Sequence, residues 1–138
     1  MREEKDRLPT FPSALLARHG LAASRQRGQN FLADENVTRK VVAAVELAPD
    51  DVVVEVGPGF GALTFGLAES ARHVVAVEID GGIARAFREE YGDPEGITLV
   101  KGDILDLDFG EVARKHDVPC VTVVGNIPYS VTSPLITK

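Results

Sequence analysis

The stretch EVGPGFGALT, residues 55–64, decides how the whole chain is read. It overlaps the end of VVVEV (52–56), a short β-branched run typical of a strand covered on both faces. Gly57, Gly59 and Gly61 let the backbone turn sharply and approach a ligand that side chains would fend off. The helix expected after them offers free N–H groups at its start. Glu78 ends the next strand, 21 residues after Gly57, where an acid can accept both ribose hydroxyls of a nucleotide-like cofactor. Strand, glycine loop, helix, strand and acid together point to a nucleoside cofactor rather than a purely structural turn.

Two cofactor classes fit the loop. Read as GxGxxA, Gly57, Gly59 and Ala62 match a dinucleotide fingerprint. Read as GxGxG with Glu55 before it, the loop suits S-adenosylmethionine, which has no pyrophosphate to cradle. GDIL (102–105) helps to decide, because it follows a third strand and brings Asp103 to the cofactor crevice. A carboxylate there can accept the exocyclic amine of adenine, with Ile104 as an apolar face for the ring. A plain turn or helix-capping role is the alternative, better suited to the neighbouring Asp106 and Asp108.

Outward from the loop, strands and helices alternate. FPSALLARHG reads as a short helix ended by Gly20, and LAASRQRGQ as an extended arm. Asp34 is placed to cap a helix over ENVTRKVVAAVEL, with Val37, Val41 and Val45 on its buried face. Helices are expected over 61–71, 81–91 (capped by Asp80) and 109–116, and strands over 73–78, 97–100 and 120–125. Asn126 to Thr132 reads as a loop, and Ser133-Pro134 as the N-cap and first position of a last helix. This order predicts an α/β, Rossmann-like fold with about four parallel strands wound by right-handed crossovers. A doubly wound sheet has more strands, so the fold is expected to be incomplete at the C-terminus. Residues 1–33 form a helix and basic arm, and 34–138 a truncated Rossmann-like domain.

Composition excludes several classes. The 138 residues are 44% hydrophobic and 26% charged, suiting one globular domain. No apolar run is long enough for a membrane span and the charged start has no signal core, so a cytoplasmic protein is expected. The lone Cys120 is expected to be a buried, inert thiol. His19, His73 and His116 are scattered and suggest no metal site. The net charge of −6 hides an asymmetry. Residues 1–40 hold eight Lys/Arg against five Asp/Glu, while 41–138 hold seven against sixteen. Arg25 and Arg27 lie in an acid-free window, which reads either as a patch for phosphate or as a solvated arm.

GNIPYS (125–130) follows the fourth strand. Methyl transfer to an aromatic amine needs acceptors that favour a pyramidal nitrogen and stabilise its developing positive charge. The Asn126 side-chain oxygen and the Ile127 carbonyl are two such acceptors on consecutive residues. Pro128 stiffens the turn, and Tyr129 offers a face on which a base can stack.

RGQNFL (27–32), EVGPGFGALT (55–64), VEID (77–80), GDIL (102–105) and GNIPYSVTSPL (125–135) occur in the order found in ribosomal RNA adenine dimethyltransferases. From about residue 10 to its end the chain resembles the front part of the catalytic domain of the small-subunit, KsgA-type family. That resemblance implies an S-adenosylmethionine-dependent methyltransferase that dimethylates the 6-amino groups of two adjacent adenosines in small-subunit ribosomal RNA, during ribosome biogenesis. It implies that Gln29, Asn30 and Leu32 close over the cofactor, with Gly57 and Gly59 at its amino-acid end. Glu78 and Ile79 then serve its ribose side, Asp103 and Ile104 its adenine, and Asn126 also reaches it. Asn126 to Tyr129 hold the target amine. The implied partner is the immature small subunit or its RNA, and the implied parent is a monomer. Ile127 departs from the commoner Leu, which changes little because its carbonyl does the work. Missing strands and an RNA-docking domain imply that this chain alone is inactive. The alternatives are a large-subunit enzyme of the macrolide-resistance type and a non-catalytic RNA-binding factor on the same fold. An NAD-dependent oxidoreductase is a remote third.

Overall fold

The structure is a computed structural model that describes residues 12–21, 34–125 and 129–137. Among these residues four parallel strands form one sheet in the order β3-β2-β1-β4. They are β1 (Val52–Val56), β2 (His73–Glu78), β3 (Ile97–Lys101) and β4 (Thr122–Gly125). Helices α1 (Pro12–Arg18), α2 (Glu35–Val45), α3 (Ala62–Ser70), α4 (Gly81–Tyr91), α5 (Phe109–Lys115) and α6 (Tyr129–Ile136) surround it. A short 3-10 turn, Ile104–Asp106, follows β3.

All five residues of β1 are buried, as a strand with a neighbour on each side and a covered surface above and below must be. Alternation then sorts the side chains. Val53, Val74 and Ile97 pack with Leu63, Leu67 and Phe87 beneath α2, α3 and α4. Val54, Val56, Val75 and Val77 face the other way and pack on Ile104, with residues of α5 and Leu135 of α6 around them. The result is a three-layer sandwich.

Local chemistry places the helix ends. Asp34 accepts the Asn36 N–H at 2.8 Å, and Asp80 accepts those of Gly82 and Ile83 at 2.9 and 3.1 Å. Both capping residues are those expected. Gly20, at φ +64, ends α1 in a Schellman turn. Its own N–H donates to the Ala17 carbonyl, and that of Leu21 to Leu16.

Four expectations are corrected. Val37 is exposed, and Thr38 takes its place on the buried face of α2, its hydroxyl bonded to the Asp34 carbonyl. The inward stripe thus runs 38, 41, 42, 45, a closer match to helical period than 37, 41, 45. The last helix starts at Tyr129 rather than at Ser133-Pro134, and Pro134 lies inside it. In a helix this short, Pro134 removes a single interior bond, a loss that packing of Leu135 against the core offsets. Cys120 is exposed, because it precedes β4 instead of lying in it. His73 and His116 are not scattered, since their rings stack 4.7 Å apart at the amino end of the sheet.

Among the described residues β4 pairs only with β1 and exposes Val123, as expected of an edge strand. Among the described residues no helix is long and apolar enough to cross a membrane.

Candidate functional site

The chain winds outward from β1 to β2 and β3, then crosses back to lay β4 on the far side of β1. The strand order therefore reverses between β1 and β4, and in open α/β sheets ligands bind at the carboxyl edge of such a switch point. Val56, the last residue of β1, pairs with Gly125, the last of β4. The ends of β1, before the glycine loop, and of β4, before NIPY in the sequence, thus lie at the same level on adjacent strands.

The loop is tied to the sheet beside it. The Gly57 N–H donates to the Val77 carbonyl at 2.9 Å, and that of Gly102 to the Glu78 carbonyl at 2.9 Å. Pairing thus continues past the strand ends and sets Gly57, Glu78 and Gly102 side by side. Gly57 has φ +69, which disfavours any side chain, and among the described residues a Cβ placed on it would meet nothing within 4 Å. The space over it is an open cradle. Gly61 (φ +88) needs glycine for a different reason, since a Cβ there would lie 2.7 Å from the Phe65 ring.

Glu78 is buried, and its two oxygens accept the N–H groups of Gly59 (3.2 Å) and Asp80 (3.0 Å). Burial raises its carboxyl above the usual range, against the lowering effect of those two N–H donors. Glu78 thus fixes the loop, a task that spacing alone did not reveal. Ile79 beside it is 57% exposed, an apolar side chain available to a flat ligand.

Asp103 spends one oxygen on a local task. Its Oδ1 accepts the Leu105 N–H at 2.9 Å and caps the 3-10 turn. That is the plain role that the sequence offered to its neighbours, and Asp108 performs it too, for α5. Ile104 is 4% exposed and packs into the core, so little of its side chain is left to face a ring. Gln29, Asn30, Leu32, Arg25 and Arg27 lie outside the described residues, as do Asn126, Ile127 and Pro128. Tyr129 opens α6.

Two groups near the loop have roles that the sequence did not assign. Glu55 is buried 2.5 Å from the Thr64 hydroxyl, and burial pushes its carboxyl up to about 8. It is a neutral acid that joins β1 to the first turn of α3. An acid inside VVVEV was the available signal. The Tyr91 hydroxyl donates to the Phe60 carbonyl at 2.7 Å, bracing the loop from α4, and had no local sequence signal.

The chain has clear relatives. The family described as ribosomal RNA adenine dimethylase matches residues 20–138. A protein of Prosthecochloris aestuarii named Ribosomal RNA small subunit methyltransferase A is 47% identical over 118 residues. The match covers 86% of this chain and 43% of that protein. Among solved structures, the 23S rRNA methyltransferase ErmE aligns with a TM-score of 0.66 at 35% identity, over 78% of this chain and 41% of its own. A dimethyladenosine transferase from Plasmodium falciparum aligns at 0.65 and 26% identity, over 79% and 38%. The chain spans less than half the length of each of these proteins.

Proposed function

The chain belongs to the ribosomal RNA adenine dimethylase family, and from that premise we propose that its protein dimethylates the 6-amino groups of two adjacent adenosines in small-subunit ribosomal RNA. The methyl donor is S-adenosylmethionine, whose sulfonium supplies an activated methyl group. The substrate is the immature small subunit or its RNA, and the setting is the cytoplasm.

One observation carries this reading. The parallel pairing of Val56 with Gly125 brings the end of β4, where NIPY begins in the sequence, level with the start of the glycine loop, which supports a donor and a target amine meeting at one edge of the sheet. The residues fit the donor, since Gly57 leaves its backbone bare to open space and Glu78 stands beside it. In this reading Gly57 and Gly59 border the amino-acid end, and Glu78 with Ile79 holds the ribose. Asp103 receives the adenine amine through the oxygen that does not cap the turn. Gln29, Asn30 and Leu32 of the arm close over the donor, and Arg25 and Arg27 meet RNA phosphate.

Asn126 and the Ile127 carbonyl accept from the target amine, so that nitrogen can offer its lone pair to the methyl group. Pro128 holds that turn and Tyr129 stacks on the base. No general base has to act before transfer, because the amine is neutral and loses its proton afterwards.

A second reading, methylation of large-subunit RNA, draws support from the likeness to ErmE. Assays on separated small and large subunits, with the protein at its full length, distinguish the two. Labelled adenosine in small-subunit RNA is the expected result, and label confined to the large subunit overturns the first reading. In the same assay Asn126→Ala should lower turnover far more than donor affinity, since its acceptor acts in the transition state.

A further inference from the structure

Three of the five residues in the loop over 57–61 are glycines, which resist ordering. Gly57, Gly59 and Gly61 all have positive φ, and each brings the large backbone entropy of glycine. Hydrogen bonds fix part of it, from the Gly59 N–H to Glu78 and from the Gly61 N–H to the Pro58 carbonyl. The side chain of Phe60 is held differently. It is 3% exposed and packs with Leu15 of α1 and Ala86 of α4.

α1 is therefore a wall of the glycine loop, although it lies some forty residues upstream. Alone, seven residues are too few for a stable helix in water, so its order depends on docking. The docking contacts are specific. Arg18 reaches both oxygens of Glu90, at 2.8 and 3.0 Å, and the His19 ring lies between Glu89 (3.0 Å) and Glu90 (2.8 Å). Glu90 carries the mark of this, since the His19 hydrogen bond, then Arg18, holds its carboxyl below the usual range. On the apolar side, Leu21 rests so near Gly82 that a Cβ there would lie 2.9 Å from it.

We infer that α1 is a positioning element for the cofactor loop: its docking on α4 holds Phe60 in place, and Phe60 holds the glycines on either side of it. Leu15 is the positioning residue at the centre, and Arg18 with His19 is the latch. Undocking of α1 uncovers Phe60 and frees the loop to sample other turns, so the methyl donor binds a loop that must first be ordered. That last consequence rests on the function proposed above, whereas the mechanical coupling does not.

Hydrogen exchange at the Gly59 and Gly61 amides tests the coupling directly, because both are bonded in the docked loop. Leu15→Ala should speed exchange at both by about tenfold or more, the factor equivalent to 1.4 kcal/mol. Leu15→Met should restore it, and Arg18→Ala, a change at an exposed side chain that leaves the core intact, should give a smaller change of the same sign. Val112→Ala on the opposite face serves as the control, lowering overall stability while leaving loop exchange unchanged relative to the sheet. Donor affinity, measured by calorimetry on the same proteins, should fall in step with loop protection. Unaltered loop exchange in both Leu15→Ala and Arg18→Ala, or equal loosening by Val112→Ala, overturns the inference. If the loop responds but the unaltered protein does not bind S-adenosylmethionine, the positioning role stands and the methyl-donor reading falls.

Discussion

Replacing Glu55 with Gln should make the protein more stable at neutral and alkaline pH. Glu55 is 1% exposed, and its carboxyl is pushed up from 4.5 to about 8. Burial is the main cause, the Thr64 hydrogen bond works against it, and the charge of Glu78 adds to it. The unfolded chain releases this proton near 4.5 and the folded chain near 8, so folding retains a proton across that window. The associated stability is fully present below about 4.5 and is lost as pH rises through about 8. At roughly 1.4 kcal/mol per pH unit, the loss reaches about 3 kcal/mol at pH 7 and about 5 at pH 8 and above. That is a large part of the 5–15 kcal/mol typical of a whole domain. Gln has the same shape, can still pair with the Thr64 hydroxyl, and never ionises. Urea unfolding at pH 5, 6, 7 and 8 should show the two proteins nearly alike at the lowest pH, with the variant's advantage growing at each step. Parallel stability curves across that range would refute the neutral-acid account of Glu55.

Two further outcomes follow from geometry elsewhere. Gly61→Ala combines a left-handed backbone with a Cβ 2.7 Å from Phe65 and 3.1 Å from Phe87, so thermal unfolding should show a loss of roughly 2–5 kcal/mol. A loss below 1 kcal/mol would mean that the loop relaxes freely. His73 has its pKa lowered by burial first, then by His116, Lys115 and Arg72. Its unfolded form takes up a proton before its folded form does, so acidification below about 6.5 destabilises the fold. His73→Gln should flatten the fall of the melting temperature between pH 7 and 5, and an unchanged slope would remove His73 from the acid response.

Much of the scaffold was legible because its signals are local. Asp34 and Asp80 cap helices through their own side chains, and Gly20 ends α1 through its own φ. The β-branched runs at 52–56 and 73–78 have the composition of buried strands, and both are strands. Where two residues competed for one role, locality failed. Thr38 outranks Val37 because the direction of the core, set by α3 and the sheet, chooses the face of α2. Asp103 caps a turn as readily as Asp106 or Asp108 could, since backbone geometry after β3 decides which carboxylate meets an N–H.

By itself the sequence determined the alternation of strands and helices, the glycine loop with Glu78 behind it, and the motif order that marks the family. Those features depend on φ preference, side-chain branching and spacing along the chain. Only the tertiary structure decided that β4 returns to the far side of β1, so that Val56 and Gly125 end neighbouring strands at one level. Only it showed Glu55 to be buried against the Thr64 hydroxyl, where burial favours the neutral acid, and Phe60 to be clamped between α1 and α4. Burial and strand pairing join residues far apart in the chain, and no local pattern encodes which ones will meet.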